Sequence, residues 1–191
     1  MSNAASRYGA SALATPANVI TITRMILALP LLAFVAVDGA SYWALAAWII
    51  LAGSDGLDGY LARRHGTTRS GAFLDPLADK ILVLGAAWAL VAAGTFWWLP
   101  VVIITARELG ISVFRSVYGR RGIAVPARYA AKVKTVVQEV AIGFALLPPA
   151  MEHASWLATA VLWVAVALTV YTGISYVTDG ARSLSRTGER A

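Results

Sequence analysis

Six apolar runs, each about as long as a membrane crossing, leave this sequence little choice of fold. They lie near residues 19–37, 41–63, 71–94, 97–118, 132–151 and 155–177. A helix needs about 20 apolar residues to cross the hydrocarbon of a bilayer, and each run supplies them. Short connections join the runs, with no linker, low-complexity segment or repeat between them. The expected fold is all-α: a polytopic membrane protein with six transmembrane helices. Residues 1–17 read as a short N-terminal juxtamembrane segment, 18–178 as the six-helix membrane domain, and 179–191 as a cytoplasmic polar tail.

Composition agrees with this. Only 14% of the residues are charged, where a soluble domain carries about 25%. Seven Trp and seven Tyr suit belts at the two membrane interfaces. The absence of cysteine excludes disulfides, thiolate catalysis and Cys-based metal sites. Residues 1–15 are small and polar, so no cleavable signal peptide is expected. His65 and His153 fall at loops and receive no role.

Charge sets the orientation. With six spans, both termini lie on one side, together with the loops 64–70 and 119–131. The connections around Asp38–Ala40, Thr95–Phe96 and Glu152–Ala154 lie on the other side and contain no Lys or Arg. All 16 cations therefore fall in, or lean toward, the side of the termini. The positive-inside rule makes that side cytoplasmic. The same asymmetry explains a net charge of +6 without a nucleic-acid partner, and it favours an anionic leaflet. Orientation accounts for Arg7, Arg64, Arg182, Arg186 and Arg190. It does not account for Arg107, Arg115, Lys132 and Lys134, which lie within or at the ends of apolar spans.

Four carboxylates interrupt the pattern more sharply. Asp55, Asp58, Gly59, Ala62 and Arg63 follow the spacing i, i+3, i+4, i+7, i+8 and share one helical face. Gly71, Asp75 and Asp79 follow i, i+4, i+8 on the next helix. A short connection makes the two helices antiparallel neighbours, with Asp58 and Asp75 at nearly the same depth. Each acid costs about 2.5–3.5 kcal/mol at a helix centre, less near an interface. A divalent cation relieves both the repulsion and the burial. Ligands that are all oxygen point to Mg²⁺ or Mn²⁺ rather than zinc. Gly59 and Ala62 leave room for a bulky ligand, or serve close helix packing. A proton or ion pathway is the competing use of such acids.

The pattern D-x2-D-G-x2-A-R followed by G-x3-D-x3-D resembles the signature of the CDP-alcohol phosphotransferase family. Asp55, Asp58, Gly59, Ala62, Arg63, Gly71, Asp75 and Asp79 match its eight fixed positions. One residue fewer separates Arg63 from Gly71 than is usual, and that gap lies in the loop between helices. The stretch from Pro16 through Asn18 and Thr21 to Arg24 resembles the family's opening, where the first helix lines the nucleotide site. "ARELGISVFRSV" and "AKVKT" resemble its phosphatidylglycerophosphate synthase branch.

The resemblance implies a six-helix membrane fold, a homodimer, and a polar cavity open to the cytoplasm. It implies transfer of a phosphatidyl group from CDP-diacylglycerol to an alcohol, with release of CMP. Asp55, Asp58 and Asp75 match metal ligands. Asp79 matches the proposed general base, with a fourth ligand as the alternative role. Asn18, Thr21, Asp58, Gly59, Ala62, Arg63 and Gly71 match the surroundings of the nucleotide.

For the acceptor, Arg107 and Arg115 lie about 80° apart on one side of a helix, and Lys132 and Lys134 sit at the start of the next. Four cations suit a phosphorylated alcohol, here glycerol 3-phosphate, with inositol phosphate as the runner-up. Snorkelling, or pairing with Glu108 and Glu139, is the plainer use of the same cations.

Overall fold

The computed structural model describes residues 15–65, 69–120 and 129–188. The side chains of 55–65 and of Arg115, among others, lie outside the described residues. The regular structure of the described residues is helical, in seven helices: α1 (Pro16–Asp38), α2 (Tyr42–His65), α3 (Arg69–Ala92), α4 (Trp98–Arg120), α5 (Tyr129–Leu146), the short α6 (Pro148–His153) and α7 (Ser155–Gly188). Six of them coincide with the six apolar runs. By length and apolarity, α1 and the Ser155–Tyr176 part of α7 qualify as membrane crossings among the described residues, and Tyr42–Ser54 forms a shorter apolar stretch.

Local chemistry sets the ends. Thr15 caps α1, its hydroxyl accepting from the Asn18 N–H at 3.2 Å, with Pro16 at the first helical position. Such a cap is worth about 1 kcal/mol. At the end of α3, Gly94 takes a φ of +73°. The Thr95 and Gly94 N–H groups then close back on the carbonyls of Leu90 and Val91, which is a Schellman stop.

Three boundaries differ from the sequence reading. The run 132–151 is not one helix, because α5 stops at Leu146 and α6 starts at Pro148. Pro148 and Pro149 lack the N–H groups a helix needs, and they push Leu147 to φ −84°, ψ 109°. Helix α7 runs on to Gly188, so most of the polar tail is helical. Helices α2 and α3 reach closer to each other than the loop 64–70 implied, ending at His65 and starting at Arg69.

Helix α1 organises one half of the bundle. It packs most extensively on α3 and nearly as much on α2, while α2 and α3 touch each other at few points. Its buried residues are Asn18, Thr21, Arg24, Ala28, Leu31 and Val35. They form one stripe with a spacing of about 3.5 residues, polar in its first half and apolar in its second. Helices α1 and α3 are parallel and keep one register throughout. Asn18 meets Ser70 and Thr21 meets Asp75. Farther along, Leu32 fills the space beside Gly85, and Gly39 lies against Ala93. Helices α5 and α7 pair in the other half, with α4 against α7.

The apolar core runs through the end of the bundle away from the signature, around Val35, Trp48, Leu90, Ile104, Ile142 and Leu146. Large apolar side chains also cover the outside. Trp43 is 84% exposed and Ile50 69%, which suits lipid rather than water. Trp97 and Trp98 stack edge-on, and Trp97 also approaches Trp163, an aromatic cluster of the kind found at membrane interfaces.

Candidate active site

The polar half of the α1 stripe positions the signature acids of α3. Thr21 donates its hydroxyl to Asp75 Oδ1 at 2.9 Å. One turn earlier, Asn18 Nδ2 donates to Ser70 Oγ at 3.1 Å, beside the buried Gly71. One turn later, the shared register brings the buried Arg24 to the level of Asp79. Asp75 and Asp79 are both half-buried. Among the described residues the Asp75 carboxylate accepts from Thr21 and from nothing else. Pro76, inside α3, removes one backbone hydrogen bond next to this acid.

Asp55, Asp58, Gly59, Ala62 and Arg63 stand on the helical backbone of α2, and their side chains lie outside the described residues. Asp58 is seven residues from the end of α2 and Asp75 six from the start of α3. Both are thus about 10 Å into the bundle at 1.5 Å per residue. Among the described side chains no three acids or histidines gather as a metal site.

A second polar cluster lies on α4 and α5. Glu108 Oε1 accepts from Arg107 Nη1 at 3.1 Å and also from Lys134 Nζ. These side chains are 14%, 11% and 5% exposed respectively. Arg107 is fixed from behind by α7. Its Nη2 donates to Thr172 Oγ1 at 2.8 Å, and its guanidinium lies 5.6 Å from the centre of the Tyr176 ring. A Cβ on Gly173 would stand 3.2 Å from Arg107 Cγ, so the missing side chain gives Arg107 its bed. Its Nε is buried and, among the described residues, has no hydrogen-bond partner. One turn deeper, Gln138 donates to Thr169 at 3.1 Å and ties α5 to α7. The charge of Asp79 also attracts Lys134, less than Glu108 does, and this attraction is the link between the two clusters of the polar layer.

Of the four cations singled out in the sequence, the structure brings Arg107 and Lys134 together. Lys132 stands apart: it is exposed while Lys134 is buried, because two helical residues are about 200° apart. Arg115 lies on α4, with its side chain outside the described residues. The sequence reading gave no site role to Arg24, Ser70, Thr172, Gly173 or Tyr176. A signal for part of this set was present, because Thr169, Thr172 and Tyr176 form a polar stripe at helical spacing inside an apolar run.

The family model for CDP-alcohol phosphatidyltransferase matches residues 14–171. The chain belongs to that family. As a CDP-alcohol phosphatidyltransferase it is a transferase of phospholipid synthesis, held in the membrane by apolar helices. Among its relatives is a probable phosphatidylglycerophosphate synthase of Mycobacterium tuberculosis H37Rv. That protein is 39% identical over 184 residues, covering 92% of this chain and 86% of the relative. The CDP-diacylglycerol–glycerol-3-phosphate 3-phosphatidyltransferase of Escherichia coli K12 is 34% identical over 178 residues, covering 87% and 95%. The enzyme of the same name from Shigella flexneri is 34% identical over 176 residues.

Proposed function

We propose that the chain transfers the phosphatidyl group of CDP-diacylglycerol to sn-glycerol 3-phosphate, giving phosphatidylglycerophosphate and CMP. The observation that supports this reading is the buried cation cluster of Arg107 and Lys134 around Glu108, with the charge of Asp79 on α3 felt at Lys134. The name of the Escherichia coli relative carries the same pair of substrates, and that of the Mycobacterium tuberculosis relative the same product.

In this reading Asn18, Thr21, Asp58, Gly59, Ala62, Arg63 and Gly71 surround the nucleotide. The acceptor phosphate is gripped by the Arg107 fork and the Lys134 point charge, with Arg115 nearby on α4. Lys132 is left to the membrane surface. The acceptor hydroxyl gives its proton to Asp79. Its oxygen bonds to the phosphorus that carries diacylglycerol, the bond from that phosphorus to the bridging oxygen breaks, and CMP departs. Direct attack is assigned because, among the described residues, no other side chain is placed as a nucleophile.

The residues present fit a divalent cation. Asp75 is half-buried, receives one hydrogen bond, and keeps lone pairs to spare. All the candidate donors are carboxylate oxygens. Asp55, Asp58, Asp75 and Asp79 would hold Mg²⁺ or Mn²⁺, which supplies charge stabilisation to the diphosphate and the leaving CMP.

The proposal extends to the membrane. Residues 18–178 form one domain in which α1–α5 and α7 span the bilayer as six helices, preceded by the juxtamembrane segment 1–17. The tail 179–191 and both termini face the cytoplasm, as the distribution of Lys and Arg requires. The protein works as a homodimer.

The test is CMP release by purified protein in detergent, with CDP-diacylglycerol and Mg²⁺. Glycerol 3-phosphate and inositol phosphate are supplied in parallel. Release with glycerol 3-phosphate alone is expected. Release with inositol phosphate alone would keep the chemistry and overturn the acceptor. Cross-linking in native membranes reads the dimer, and labelling of single cysteines placed at each terminus reads the orientation.

A further inference from the structure

We infer that Glu108 is a stand-in for the acceptor's phosphate, and that it sets the selectivity of the anion site. The inference rests on the assignment of Arg107 and Lys134 to a phosphate, and it concerns what those cations do before the phosphate arrives.

Glu108 Oε1 accepts from both Arg107 and Lys134. One oxygen shared by two cationic donors is where an oxygen of a phosphomonoester would sit. It keeps the two nitrogens no more than two hydrogen-bond lengths apart. Among the described residues, the carboxylate of Glu108 has no polar partner besides these two cations.

The three members of the cluster differ in freedom. Arg107 is pinned by Thr172, by Tyr176 and by the bare backbone of Gly173. Lys134 is the most buried, at 5% exposure. Glu108 is the most exposed of the three, and among the described residues its carboxylate is held by Arg107 and Lys134 and by nothing on α7. For an anion to reach the donors of Arg107 and Lys134, Glu108 is the side chain that yields.

The arrangement has a chemical purpose. Two cations buried without a counter-ion would be costly, and they would bind any small anion. With Glu108 in place, an incoming anion must outcompete a carboxylate. A phosphomonoester dianion does so through more charge and more acceptor oxygens. A monoanion or a neutral alcohol does not. Glu108 is therefore a specificity-determining positioning residue, and it does not touch the reacting atoms.

The test uses Glu108→Gln in the full-length protein in detergent. The amide keeps the size and an acceptor oxygen but removes the charge, so the stand-in becomes a weak competitor. The first readout is the thermal stabilisation of the protein by inorganic phosphate, which needs no turnover. Phosphate should bind the variant about tenfold more tightly than the wild type, because a like charge a few ångströms from the site has gone. Nitrate, a monoanion, should stabilise the variant more than the wild type.

The second readout is kinetic. The KM for glycerol 3-phosphate should fall, and inorganic phosphate should become a stronger competitive inhibitor. A merely structural role for Glu108 predicts the opposite, a weaker site. Phosphate binding that is unchanged or weaker in folded Glu108→Gln overturns the inference. Glu108→Asp guards against a variant that does not fold. Its retracted carboxylate should also tighten phosphate binding, by less, and weaker binding there overturns the inference equally. If the wild type binds phosphate but does not use glycerol 3-phosphate, the acceptor assignment fails while the phosphate readout still decides the role of Glu108.

Discussion

The two sides of the polar layer are built in opposite ways. On the α3 side, the partner of Asp75 among the described residues is the neutral hydroxyl of Thr21. On the α4–α5 side, Arg107 and Lys134 already have a charged partner within the chain, Glu108. The difference follows from what each side meets. An acid site that takes a cation gains from standing ready and unsatisfied. A cation site open to the anions of the cytoplasm gains from being occupied until the right one arrives.

Four substitutions test this contrast. The largest effect belongs to the unsatisfied side. Asp75→Asn should lower CMP release by about 10³-fold or more, because it removes a charge needed where the diphosphate is held. The Thr21 bond survives in that variant, so the protein should still purify folded; near-normal turnover would end the metal assignment. Next comes Arg107→Lys, which keeps the charge and loses the fork. The KM for glycerol 3-phosphate should rise about 100-fold, and a KM that stays level would remove Arg107 from the acceptor site.

A smaller effect is expected from Thr21→Val, which deletes the only hydrogen bond that Asp75 receives among the described residues. The Mg²⁺ concentration for half-maximal rate should rise about tenfold or more, as for other outer partners of metal ligands. A rise in KM for the acceptor instead would place Thr21 on the wrong side of the comparison. The smallest is Gly173→Ala. Its Cβ would stand 3.2 Å from Arg107 Cγ, and such overpacking costs about 1–3 kcal/mol. The acceptor KM should rise about fivefold with the Mg²⁺ dependence untouched, and a changed Mg²⁺ dependence would show that the two sides are not separable.

Much of this was legible in the sequence, and the reason is that helices are local. The six long helices follow from apolar length alone. The acids of α3 share a face because their spacing says so. What failed to show was tertiary or was overridden. The Pro148–Pro149 break was printed in the sequence, yet the run stayed apolar across it and read as one span. Lys132 and Lys134 both sit at the start of α5 as cations, but a spacing of two turns them to opposite faces, and only Lys134 is buried. The sharing of Glu108 between two helices depends on how α4 and α5 pack, which no spacing within one helix encodes. The bed that Gly173 makes for Arg107 is also tertiary, since a glycine in an apolar helix has several other uses.

The common register of α1 and α3 bears on how such a sequence can change over time. Leu32 beside Gly85, and Gly39 beside Ala93, lie far from the chemistry. Yet they mesh on the same helix pair as Thr21 and Asp75, like teeth on two racks. Side chains that face lipid can drift freely, because nothing reads them. The number of residues between Thr21 and Leu32 cannot, because one more would turn the hydroxyl about 100° away from its carboxylate. A scan of α1 should therefore find lipid-facing substitutions silent and single-residue insertions inactivating. In this half of the protein, lineages are free to change the letters but not the count.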